Sequence, residues 1–217
     1  MTSSAQAFEA IADQRVLAIV RLDNPTDAVV ACRILANAGL HAVEISLAQP
    51  GATGAIAEAV DELEGAALVG AGTVRTVAHA AAALEAGAHF LVGPCLDQSV
   101  AAWAHERDIL YVPGALTPTE VELASRWSPL VKLFPAAGFG PGYVKDLRAP
   151  LPDIALLATG GVDLENTRAF LDAGAAAVAV GSGLVNASSL AAPDDLAANA
   201  RRLLQLAAPA TPTTRRQ

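Results

Sequence analysis

Along most of the chain, short runs rich in Val, Ile and Leu alternate with longer alanine-rich stretches that carry polar residues at helical spacing. Apolar runs of about four to eight residues bounded by turn residues suit strands buried on both faces, and the stretches between them are long enough for helices. The pattern predicts strands at Val16–Val20, His41–Ile45, Ala67–Gly70, His89–Val92, Ile109–Val112, Leu130–Leu133, Ile154–Ala158 and Ala176–Val180. Helices are predicted at Pro25–Asn37, Gly51–Glu64, Val77–Glu85, Gln98–Arg107, Thr119–Ser125, Gly142–Leu147, Leu164–Asp172 and Asp195–Leu206. Three of these end in a shared signature, Asn37-Ala38-Gly39, Glu85-Ala86-Gly87 and Asp172-Ala173-Gly174. Glycine in the left-handed conformation stops each helix before the next strand begins.

Strands alternating with helices make βα units around a parallel sheet. At 217 residues, 53% of them hydrophobic, the chain is long enough for one (β/α)8 TIM barrel of the α/β class. An amphipathic stretch at Ser4–Ala12 is expected to cap the barrel bottom, and Pro209–Gln217, polar and proline-containing, reads as a loose tail of a single domain spanning 1–217.

Fourteen basic against 22 acidic residues give a net charge of -8, with no Lys/Arg block to follow a phosphate backbone, so no nucleic-acid partner is expected. Cys32 and Cys95 are far apart and lack CxxC spacing, which predicts reduced thiols in a cytoplasmic protein. His41, His79, His89 and His105 lack metal-ligand spacing, so neither zinc nor iron is expected. No apolar segment reaches membrane-spanning length, and Met1–Asp13 has no basic region leading into an apolar stretch; no membrane association or export leader is expected.

Against this background one residue is out of place: Lys132, inside Pro129-Leu130-Val131-Lys132-Leu133-Phe134-Pro135. An ammonium in a strand packed on both faces costs several kcal/mol unless paired or deprotonated. A desolvated lysine can serve as an amine nucleophile; the alternative is a snorkelling side chain with its head in water. Strand alternation points Val131 and Leu133 outward and Lys132 inward, and the same rule leaves Glu44 and Ser46 inside while Val43, Ile45 and Leu47 face helices. Arg21, Thr73 and Thr159 follow apolar runs at strand carboxyl ends, where barrels of this type carry their active sites. A lysine and a carboxylate meeting there suit carbonyl chemistry, with an iminium as electron sink and the carboxyl group moving protons. The competing reading is a structural Glu44–Lys132 ion pair across the mouth.

Two glycine-rich turns add to the picture. Thr159-Gly160-Gly161 ends the seventh predicted strand and Gly181-Ser182-Gly183 the eighth, where backbone N–H groups commonly bind phosphate. Such turns also serve purely steric ends. Gly70-Ala71-Gly72-Thr73-Val74-Arg75 fails the dinucleotide fingerprint because Arg75 stands where a third glycine belongs. Asp61, Glu62 and Glu64 read as a solvated helix end.

The blocks Val43-Glu44-Ile45, Val69-Gly70-Ala71-Gly72-Thr73-Val74, Val131-Lys132-Leu133-Phe134-Pro135 and Thr159-Gly160-Gly161 occur in order, and with them the chain resembles the class I 2-keto-3-deoxy-6-phospho-aldonate aldolases from Val16 to Asn186. The family includes phosphogluconate, phosphogalactonate and 4-hydroxy-2-oxoglutarate aldolases. The resemblance implies a homotrimeric barrel with no cofactor, Lys132 as the Schiff-base lysine and Glu44 as general acid/base. It places Thr73 beside pyruvate, Pro94 near the reacting face, Phe134 beside the iminium, Thr159 near the C4 hydroxyl, and phosphate at Gly160, Gly161, Gly181 and Ser182. Arg21 looks like a substrate-binding arginine of one branch. The implied reaction splits a phosphorylated keto acid into pyruvate and glyceraldehyde 3-phosphate. Ala48 departs from the gluconate-type pattern, which carries a carboxylate-binding arginine there. Glu44-Ile45-Ser46-Leu47-Ala48-Gln49-Pro50 looks more like the galactonate branch, Thr159 more like the gluconate branch. The alternatives are a 4-hydroxy-2-oxoglutarate aldolase, or a non-catalytic barrel that only binds a sugar phosphate.

Overall fold

Nine parallel strand segments run β1 (Val16–Val20), β2 (Ala42–Ser46), β3 (Leu68–Gly72), β4 (Phe90–Val92), β5 (Leu110–Val112), β6 (Gly114–Ala115), β7 (Leu130–Leu133), β8 (Ala155–Thr159) and β9 (Ala177–Val180) in a computed structural model that describes residues 2–209. The tail residues 210–217 lie outside the described residues. The sheet order is β5-β4-β3-β2-β1-β9-β8-β7-β6. Its two ends are one stretch of chain, because only Pro113 separates β5 from β6. Proline has no N–H to give to the ladder, so the fifth barrel strand is split there. It bonds on both sides all the same: Gly93 N–H donates to Val112 C=O at 3.0 Å, and Lys132 N–H to Pro113 C=O at 2.9 Å. The result is an eight-stranded, nearly closed parallel barrel, as the alternation predicted.

The helices are α1 (Ser4–Gln14), α2 (Pro25–Asn37), α3 (Ala52–Glu62), α4 (Val77–Glu85), α5 (Gln98–His105), α6 (Pro118–Ser125), α7 (Gly140–Arg148), α8 (Thr167–Asp172), α9 (Ala187–Leu190) and α10 (Pro193–Ala207). The repeated glycine signature behaves as expected. Gly39, Gly87 and Gly174 all have φ between 86° and 104°, and the next residue's N–H reaches back to close the turn: Leu40 to Leu35, Ala88 to Ala83, Ala175 to Phe170. Short α9 has no counterpart in the apolar pattern; its Asn186 and Ser189 form a capping box, a signal carried by hydrogen bonding rather than by periodicity.

Strand alternation divides the core in two. Val16, Ala18 and Val20 of β1, Val43 and Ile45 of β2, and Val131 and Leu133 of β7 pack outward against the helices. Leu17, Ile19, Ala42, Phe90, Val92, Leu110, Leu130 and Leu157 fill the barrel, and Ala7 and Ile11 of α1 join them to plug the amino-terminal end. Glycine makes room for the largest of these, since a Cβ on Gly70 would lie 2.2 Å from the Phe90 ring.

Candidate active site

Lys132 points into the barrel from β7, between Gly114 on β6 and Leu157 on β8, with 7% of its surface exposed. Gly114 has no side chain because the loop from β4 sits on it: a Cβ there would meet Pro94 O at 2.1 Å. That loop is held from outside the barrel by Tyr111, whose hydroxyl donates to Cys95 C=O at 2.9 Å and accepts from Asp97 N–H at 3.4 Å. The Lys132 Nζ lies 5.3 Å from the Phe134 ring centroid, a cation–π distance.

Glu44, on β2, is 2% exposed, and its Oε2 has no hydrogen-bond partner among the described residues. Its Oε1 occupies space that a Cβ on Gly72 would enter at 2.6 Å, so a glycine on the neighbouring strand is what admits the carboxyl group. Burial pushes the Glu44 pKa above the ordinary carboxylate value, and the nearby Lys132 and then Arg21 pull it partly back. The structural ion-pair reading is corrected here. The ion pairs among the described residues are Arg33–Glu62, Arg107–Glu106, Arg126–Glu122 and Arg168–Asp172, all on the surface; Glu44 and Lys132 face one another without forming one. With no ion pair between them, neither side chain is committed to the other.

Above them, at the carboxyl ends of the strands, opens a cleft of about 450 Å³. Arg21, Thr73, Pro94, Lys132, Phe134, Thr159, Gly160, Gly161, Gly181 and Ser182 all line it, together with Ile19, Val162, Asp163, Gly183 and Val185. Of the inward polar residues singled out from sequence, Glu44 and Ser46 are buried and do not line the cleft. A wider depression of about 660 Å³ at the amino-terminal end, lined by His41 and His89 among others, brings no lysine or carboxylate together. No group of three or more His, Cys, Asp or Glu side chains suited to a metal exists among the described residues. No helix is long and apolar enough to cross a membrane.

Thr73 has φ of 61°, unusual for a β-branched residue, and its hydroxyl lies 2.9 Å from that of Ser46. The Thr159 hydroxyl donates to Leu157 C=O at 3.1 Å, which leaves it only lone pairs to offer the cleft. Gly160 and Gly161 have φ of 91° and 74°, and a Cβ on Gly160 would strike the Phe134 ring at 2.9 Å. Gly181 is different, since a Cβ there would make ordinary contact with Ile19 at 3.6 Å.

The model of the KDPG and KHG aldolase family matches residues 8–200. The chain belongs to this family. It is 37% identical over 174 residues to 2-dehydro-3-deoxy-6-phosphogalactonate aldolase of Escherichia coli, covering 79% of this chain and 85% of that protein. It is also 34% identical over 189 residues to 2-dehydro-3-deoxy-phosphogluconate aldolase of Treponema pallidum, covering 86% and 90%. A solved structure described as native KDPGal superposes with a TM-score of 0.82 at 34% identity over 88% of this chain and 93% of the other.

Within this aldolase family fold, the departure at Ala48 is on the surface: the residue is exposed and stands apart from the cleft. Arg21 is then the cleft's cation besides Lys132 among the described residues. Sequence reasoning did not single out Asn166 and Asn186. Both hydrogen-bond the glycine turns, and both are ordinary loop residues in any pattern of hydrophobicity.

Proposed function

We propose that this family member is a class I aldolase that cleaves 2-dehydro-3-deoxy-6-phosphogluconate, 2-dehydro-3-deoxy-6-phosphogalactonate or both into pyruvate and D-glyceraldehyde 3-phosphate. The observation that carries this reading is the buried Lys132 side chain near the unpartnered Glu44 carboxyl, at a cleft also lined by Gly160, Gly161, Gly181 and Gly183.

In the proposed reaction the Lys132 amine adds to the C2 ketone, and Glu44 gives its proton to the departing hydroxyl, so that water leaves and an iminium forms. The Glu44 carboxylate then takes the C4 hydroxyl proton. The C3–C4 electron pair moves to the iminium nitrogen, releasing the aldehyde and leaving an enamine. Protonation at C3 restores an iminium, which water hydrolyses to pyruvate and free Lys132. A carboxyl group with a raised pKa suits both halves of this exchange, because it carries a proton more readily than an exposed carboxylate. Arg21 and Thr73 are assigned to the carboxylate of the substrate, Phe134 and Pro94 to the walls of the iminium, Thr159 to the C4 hydroxyl, and Gly160, Gly161, Gly181 and Ser182 to phosphate. Assembly as a homotrimer in the cytoplasm belongs to the same proposal, and sedimentation equilibrium tests the assembly.

Borohydride reduction in the presence of pyruvate is the direct test. A reduced adduct on the Lys132 peptide is expected. An adduct on Lys145 instead, which is exposed on α7, or no adduct at all, overturns the assignment. The non-catalytic alternative predicts phosphate binding with no covalent capture.

A further inference from the structure

The two glycine turns are fastened by the same device. The Asn166 Nδ2 donates to Gly161 C=O at 2.9 Å while its Oδ1 accepts from Asp163 N–H at 3.0 Å. In the next βα unit the Asn186 Nδ2 donates to Ser182 C=O at 2.9 Å while its Oδ1 accepts from Ser189 N–H at 3.0 Å. Each amide is therefore fixed in orientation, its nitrogen on the turn carbonyl and its oxygen on a backbone N–H, that of Asp163 within the loop for Asn166 and that of Ser189 at the start of α9 for Asn186.

A trans peptide is planar, with its N–H antiparallel to its C=O. A carbonyl of Gly161 drawn toward Asn166 turns the N–H of Val162 the opposite way, and a carbonyl of Ser182 drawn toward Asn186 does the same for Gly183. Val162 and Gly183 line the cleft, and among the described residues neither N–H meets a protein acceptor. The turns abut at this point, since a Cβ on Gly183 would lie 2.9 Å from Asp163 Cβ and 3.3 Å from Val162 O. Asp163 also borders the cleft, but its Oδ1 is held by the N–H groups of Glu165 and Asn166 at 2.9 and 3.0 Å.

We infer that Asn166 and Asn186 are positioning residues for the phosphate assigned to these turns: by holding the carbonyls of Gly161 and Ser182 they aim the N–H groups of Val162 and Gly183 into the cleft. This deepens the proposed function and rests on its phosphate assignment. Backbone donors held by side-chain clasps bind a dianion without reorganising, so the clasps govern preference for phosphorylated over unphosphorylated keto acids rather than imine chemistry.

The test uses Asn166→Ser and Asn186→Ser, where serine keeps a short hydroxyl acceptor, at Asn186 the helix cap as well, but cannot reach the turn carbonyl. The readout is the ratio of kcat/KM for the phosphorylated substrate to that for 4-hydroxy-2-oxoglutarate, together with inhibition by inorganic phosphate. Each variant is expected to lower the ratio and weaken phosphate inhibition about tenfold, as for one lost charge-assisted hydrogen bond. Trapping of pyruvate on Lys132 reports whether the barrel is intact, and if one variant fails that check the other carries the test. Equal losses on both substrates, or an unchanged ratio in a trapping-competent variant, overturn the inference alone. A wild-type protein that shows no preference for phosphorylated substrate and no phosphate inhibition overturns the phosphate assignment itself, and the inference with it.

Discussion

The Ser46 and Thr73 hydroxyls lie 2.9 Å apart at the carboxyl ends of adjacent strands, and Thr73 holds its backbone at φ of 61°. Ser46 Oγ also accepts from Ala48 N–H at 3.4 Å, and either hydroxyl of the pair can donate to the other, so that Ser46 holds the Thr73 side chain at the cleft wall. Ser46→Ala is expected to raise KM for the keto acid roughly 2- to 10-fold, with kcat changed less, because one hydrogen bond is worth about 0.5–1.5 kcal/mol net. Steady-state kinetics on the variant check the split between KM and kcat.

A β-branched residue in the left-handed region costs on the order of 1–3 kcal/mol, whereas glycine adopts it freely. Thr73→Gly should therefore fold at least as stably as the wild type while losing activity. A melting temperature several degrees lower would show that Thr73 is held without strain.

Glu44→Gln should keep pyruvate trapping and lose most turnover, on the order of 100- to 10,000-fold for a missing proton-transfer group. Its effect on stability has a definite sign. Burial raises the pKa of Glu44 above its unfolded value of 4.5, so between the two values the folded state binds the extra proton. Wild-type stability then falls as pH rises from the unfolded pKa through the folded one. Glutamine has no such dependence. The variant should melt higher than wild type at pH 8, with the gain shrinking as pH approaches 4, and equal melting at both pH values would mean that Glu44 ionises freely in the fold.

Thr159 donates its proton to Leu157, so it can meet the C4 hydroxyl only as an acceptor. Cleavage of both phosphorylated epimers is expected, with a modest tilt toward gluconate, and Thr159→Val should move the ratio of kcat/KM toward galactonate by a few-fold, the worth of one hydrogen bond of about 0.5–1.5 kcal/mol. An unmoved ratio assigns the preference to another part of the cleft.

Chelator should leave turnover unchanged, since the iminium nitrogen takes the electron pair that a metal would otherwise stabilise. Loss of activity on EDTA treatment, restored by a divalent cation, would count against a Schiff-base mechanism.

Much of this molecule is legible in its residues because the relevant physics is local. Buried strands must be apolar, a helix that ends in Gly39, Gly87 or Gly174 must turn left-handed there, and strand alternation alone puts Glu44 and Lys132 on the same side of the sheet. The interior lysine stands out because charge among Leu130, Val131 and Leu133 needs a chemical reason. What lay beyond the sequence depends on which strands become neighbours. Gly72 admits the Glu44 carboxyl only because β3 pairs with β2, so the residues alone did not show that this carboxyl is buried and absent from the cleft lining. Pro113 closes the barrel only because β4 and β7 lie on its two sides, and Gly114 matters only once the Pro94 loop rests on it. Asn166 and Asn186 look like any loop asparagine until their amides meet the carbonyls of Gly161 and Ser182. Periodicity reports which face of an element is buried, whereas the direction of a peptide group in a turn is decided by hydrogen bonds formed after the chain has folded.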